Sequence, residues 1–82
     1  MSGSPAIDSN LANQVLWTFG YQGFAPGTFQ GKLLDLIAHA DKTNEAKLAL
    51  GFPAETAAVL LAKNDPDGIA KLTAIADGQV AA

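Results

Sequence analysis

Apolar residues recur along this chain at intervals of three and four, separated by short clusters of glycine, proline and polar residues. That spacing predicts helices, because it gathers side chains on one face of a 3.6-residue turn. Leu11, Ala12, Val15, Leu16 and Phe19 form the first such stripe. Ser9 stands ahead of it as a candidate cap, and Gly20 follows where a left-handed cap belongs, so helix 1 is expected over about 10–19. Phe29, Leu33, Leu36, Ile37 and Ala40 form the second stripe, with Thr28 as its cap and Gly31 as a local weakness, giving helix 2 over about 29–40.

A third, shorter helix is expected through Ala46, Leu48, Ala49 and Leu50, capped by Asp41 or Thr43. Gly51 would close it, and Phe52 would pack back on its last turn. Pro53 and Glu55 suit the first turn of helix 4, over about 53–63, since proline has no N–H to lose there and a carboxylate complements the helix dipole. Ala57, Ala58, Leu60 and Leu61 spread over a wide arc, the pattern of a central helix. Asp65 as cap, Pro66 in first position and an Asp67–Lys71 pair four residues apart predict helix 5 over about 66–77, with Gly78 ending it.

No internal repeat or strand pattern interrupts this sequence of elements. The expectation is therefore an all-α protein, a compact bundle of about five short helices. Residues 1–7 read as a flexible leader, 8–78 as a single helical domain and 79–82 as a frayed tail. A chain of 82 residues buries only roughly 60% of its unfolded surface. A small bundle with many alanines is thus expected to cover its remaining apolar surface with a second copy.

Composition narrows the chemistry. Nearly half the residues are apolar (49%) and only 16% are charged, too hydrophobic for a disordered tail and too interrupted to span a membrane. A cytoplasmic home follows as the default. Cysteine is absent, which excludes disulfides, thiolate zinc sites and cysteine nucleophiles. The net charge is −3, and arginine is missing altogether, so nucleic acid is an unexpected partner.

The candidate catalytic constellations are thin. His39 is the sole histidine; it shares a helix face with Lys32, Asp35 and Lys42, and an Asp35–His39 pair would orient an imidazole only if a further partner were near. The serines lie in the leader or at a helix start, and the glycines of 20–27 lack the strand and the Gly-Lys-Ser/Thr ending of a phosphate loop. Asp65 and Asp67 supply too few donors for calcium. The expectation is a protein that is not an enzyme and needs no cofactor or metal.

The aromatics are the least ordinary feature. Trp17, Phe19, Tyr21, Phe24 and Phe29 fall close together, and only Phe52 lies outside. One reading makes them a small core that fastens the glycine-rich loop by ring packing. The other makes Trp17, Tyr21, Gln22, Phe24 and Phe29 a partner-binding surface, since aromatics dominate binding hot spots and Trp17 lies off the helix 1 stripe. A variant of the second reading is a pocket for a nucleotide-like ligand, with rings stacked on the base and Lys32 or Lys42 meeting phosphate.

Three phrases of the chain, Gly20-Tyr21-Gln22-Gly23-Phe24-Ala25-Pro26-Gly27-Thr28-Phe29, Leu50-Gly51-Phe52-Pro53-Ala54-Glu55 and Asn64-Asp65-Pro66-Asp67-Gly68-Ile69, resemble the small accessory proteins carried by phages of actinobacteria. The resemblance runs from about residue 9 to 77. It implies action in the host cytoplasm by binding host proteins, host defence signals or other virion components, and it carries over no catalytic residue. The absence of arginine departs from what a nucleotide- or nucleic-acid-binding member would show.

Overall fold

A computed structural model describes residues 6–78, in which five helices follow one another without a strand: α1 (Ser9–Thr18), α2 (Thr28–His39), α3 (Lys42–Gly51), α4 (Pro53–Asn64) and α5 (Gly68–Ala76). The protein is an all-α compact bundle, and its Cα radius of gyration of 11.6 Å matches the about 11–12 Å of a single compact chain of this length. Of the residues expected to lie outside the fold, 1–5 and 79–82 fall outside the described ones. Ile7 does not lie outside the fold: its side chain is buried in the core.

The caps explain where the helices begin, and they correct four sequence expectations. Asp8, not Ser9, caps α1, accepting a hydrogen bond from the Leu11 N–H at 2.8 Å. Ser9 becomes the first helical residue, and its hydroxyl donates across the bundle to the Ala76 carbonyl at the end of α5. Gly27, not Thr28, precedes α2. Asp41 caps α3 through the Asn44 N–H, which decides between the two candidates there. Gly51 does not terminate α3 as a glycine stop would. It is the last helical residue, and Phe52 serves both as C-cap of α3 and N-cap of α4.

The fourth correction concerns α5, which begins at Gly68 rather than Pro66. Asp65 first closes a turn, its carboxylate accepting from the Asp67 N–H at 2.8 Å and its carbonyl from the Gly68 N–H. Gly68 then sits so close to α4 that a Cβ there would run into the Leu61 carbonyl. Only glycine allows the two backbones this approach. Lys71 pairs with Asp65 at 2.7 Å, not with the expected Asp67. That ammonium, followed by the Asp67 N–H, holds the Asp65 carboxyl below its ordinary value, and Asp65 raises the Lys71 ammonium in return.

The core is aliphatic. Val15 and Leu16 of α1, Leu34 and Ile37 of α2, Val59 of α4 and Leu72 of α5 are its largest fully buried apolar side chains. Helix α4 touches each of the other four helices, while α1 packs on α5, α4 and α2. Helix α3 contributes no apolar residue to the buried set. Its one buried side chain is Glu45, and Leu50, expected on its apolar face, is 87% exposed.

Candidate functional site

The loop between α1 and α2 is anchored by backbone hydrogen bonds. The Gly20 N–H donates to the Trp17 carbonyl and the Tyr21 N–H to the Leu16 carbonyl, the paired bonds of a helix that ends in a left-handed residue, here Gly20 at φ 88°. Three residues on, Gly23 has φ 116° and lies against the Asn13 carbonyl, where a Cβ would collide. The loop is thus folded back onto α1 by its main chain.

Its rings are left outside. Trp17 is 50% exposed, Tyr21 53%, Phe24 46% and Phe29 69%, and Gln22 is exposed beside them. Phe19 alone among the aromatics of this segment packs against the core. Among the described residues the one aromatic pair is Phe29 with Phe52, ring centroids 6.4 Å apart. The expectation that ring packing rather than backbone pairing fastens the loop is therefore corrected. Phe19 is the single ring that helps, and the anchoring is done by the chain itself.

A second surface lies between α2 and α3. The stripe read from the sequence in α2 is too wide for one contact face. Leu33, Leu34 and Ile37 turn into the core, whereas Phe29 and Leu36 stand outside it. With Leu48 of α3 and Phe52, they line a depression of about 370 Å³ into which Lys32 also faces. An adjoining depression of about 400 Å³ shares Leu36 and Leu48 and continues to a polar end formed by His39, Asp41, Asn44 and Lys47. The two make one groove, apolar at the Phe29–Phe52 end and polar at the other.

The structure separates the two lysines considered for phosphate. Lys32 lines the groove beside Phe29, but Lys42 lies 3.7 Å from the Glu45 carboxylate, an ion pair on α3. The imagined Asp35–His39 side-chain pair does not form. His39 Nδ1–H donates to the Asp35 backbone carbonyl at 2.7 Å, which satisfies the imidazole without a carboxylate. Among the described residues, no three histidine, aspartate or glutamate side chains gather as a metal-binding group.

Sequence reasoning overlooked three members of this region. Glu45 is 6% exposed and joins α3 to α4 through Lys63 at 3.0 Å. Leu48 was read only as an apolar position of α3 and Lys47 was not singled out, because α3 has no single apolar face from which a groove wall could be read. In α2 a signal was present: Leu34 adjoins the stripe Phe29, Leu33, Leu36, Ile37 and Ala40, and so many apolar positions exceed what one buried face requires.

No protein-family model, curated protein or solved structure matches the chain. Among the described residues, no helix is long and apolar enough to cross a membrane.

Proposed function

We propose that this chain is a non-enzymatic protein-interaction module, an accessory protein of the kind that actinobacterial phages carry, acting in the host cytoplasm. It works through the surface of Trp17, Tyr21, Gln22, Phe24 and Phe29, against a second copy of itself or a host protein. The observation that carries this reading is the placement of the rings. Of the six aromatic residues, four are exposed and none belongs to the fully buried core. A chain this small gains most from burying rings, so leaving four in water, crowded into one segment, is the signature of a contact surface.

Sedimentation velocity and partner capture, with wild type beside Trp17→Ala, test this. The expected outcome is association or capture by the wild type, lost in a variant whose circular dichroism is unchanged. A folded Trp17→Ala protein that associates and captures like wild type removes the surface from the reading. A wild type that stays monomeric and captures nothing removes the function.

A second reading, a binder of nucleotide-like small molecules, is favoured by one observation: Phe29, Phe52 and Lys32 face the same depression. It predicts a rise in melting temperature with linear or cyclic nucleotides. Lys42 lines neither depression, which leaves Lys32 as the phosphate partner.

A further inference from the structure

The chain has five basic side chains, all lysine, and three are engaged: Lys42 and Lys63 with Glu45, and Lys71 with Asp65. The remaining two, Lys32 on α2 and Lys47 on α3, have no ion-pair partner among the described residues. Both line the α2–α3 groove, one from each wall. In a chain of net charge −3, the unpaired cations are thus concentrated around one apolar trough. Asp41, the one acid of the lining, keeps its charge but is held at the polar end as the α3 cap, accepting from the Asn44 N–H at 2.9 Å, so the two lysines outnumber it. The floor between the lysines is apolar and accessible, with Leu36 57% and Phe29 69% exposed.

We propose that this groove docks an amphipathic helix of acidic character from a partner protein, its apolar stripe seated on Leu36, Leu48 and Phe52 and its carboxylates meeting Lys32 and Lys47. The inference rests on the interaction-module reading and adds to it a second site and the chemistry of the partner. The wall from Phe29 to His39 is about 15 Å long at the rise of an α-helix. That accommodates roughly three turns of a docked helix with anchors at i, i+4 and i+7. A second copy fits less well. A two-fold contact sets the same patch against itself, bringing ammonium groups together around an apolar seam.

Two synthetic peptides of about 15 residues test the proposal, identical in their leucine and phenylalanine stripe but flanked by glutamates in one and lysines in the other. Binding is followed by fluorescence anisotropy, and the site is located by amide chemical shifts. The acidic peptide is expected to bind at least about tenfold more tightly than the basic one. The double variant Lys32→Glu/Lys47→Glu should reverse that order, and raised salt should narrow it. Lys32→Gln/Lys47→Gln, which adds no repulsion and alters only exposed positions, should abolish the preference with the fold intact. Equal binding of the two peptides, or no binding of either, overturns the proposal. So does a preference that survives the glutamine variant.

Shifts at Leu36 and Leu48 that follow protein concentration without peptide would assign the groove to a second copy and also overturn it. Running Trp17→Ala in parallel separates the two readings. If that variant loses association while the peptides fail to bind, the groove assignment falls and the interaction module stands.

Discussion

The Lys63 ammonium lies 3.0 Å from the Glu45 carboxylate and 3.2 Å from the Ala40 carbonyl, so a single cation on α4 fastens both α3 and the turn that precedes it. The two partners differ in environment. The Glu45 side chain is 8% exposed and that of Lys63 29%. An ammonium that loses its partner here regains water, whereas a carboxylate that loses its partner remains buried.

Removing the two ends should therefore cost unequal amounts. Lys63→Met, which leaves the Glu45 carboxylate with only Lys42 at 3.7 Å, is expected to destabilise by about 2–3 kcal/mol. Glu45→Gln is expected to cost about 1 kcal/mol. The double variant should lose less than the sum, as coupled neighbours do. Urea denaturation of the four proteins measures all three. Equal single-variant costs would show that burial of the carboxylate is not what makes the pair matter.

Two glycines should respond to alanine in opposite directions. At Gly68 the added methyl meets the Leu61 carbonyl, which belongs to the backbone of α4 and cannot swing aside. Separation of α4 and α5 is expected to cost about 2 kcal/mol or more. At Gly31, inside α2, the nearest atom is the Pro26 ring at 3.5 Å, an ordinary contact. Gly31→Ala should raise stability by about 0.5–1 kcal/mol. Thermal melts of the two variants suffice, and a stabilised Gly68→Ala protein would refute the close α4–α5 approach.

The Asp65–Lys71 pair should make a small contribution to stability, bounded on both sides by pH. Asp65 titrates below its ordinary 3.8 in the folded chain, so its contribution is complete above that value and disappears as pH falls through the folded value. Lys71 titrates above its ordinary 10.5, so its contribution is complete below that value and disappears as pH rises through the folded one. Melting temperatures of wild type and Asp65→Asn should differ by a constant amount across the neutral range and converge at both extremes. A gap that widens on acidification would contradict the pairing.

Four helices were legible because each carries its own repeating stripe, and α3 because Asp41 ahead of it and Gly51-Phe52-Pro53 behind it punctuate the chain, all of it local. What escaped was decided at a distance. Asp8 and Ser9 are both good caps one residue apart, and the chain uses Asp8 while spending the Ser9 hydroxyl on Ala76, a partner no local pattern reveals. Pro66 has the right chemistry to begin α5. The helix instead starts at the residue that meets Leu61, after Asp65 has closed its turn. Glu45 is buried because Lys63 reaches it from eighteen residues away. The exposed rings of the candidate site were legible as a cluster, but their exposure was not. It follows from a core that aliphatic side chains of α1, α2, α4 and α5 fill without them.

The two sides of the α2–α3 groove are held in different ways. Helix α2 is rooted by Leu33, Leu34 and Ile37, whereas α3 has one buried side chain, the Glu45 carboxylate, and is joined to α4 by the Glu45–Lys63 pair and the shared residue Phe52, with half-buried Leu48 packed against the core. Added salt does not weaken apolar burial, whereas it screens an ion pair, the less so for a carboxylate as buried as that of Glu45. With fewer buried apolar side chains than α2, α3 is the bank expected to open at a lower free energy than the whole bundle, which amide hydrogen exchange would show. An occupant that inserts there is met by a surface whose width yields on one side only.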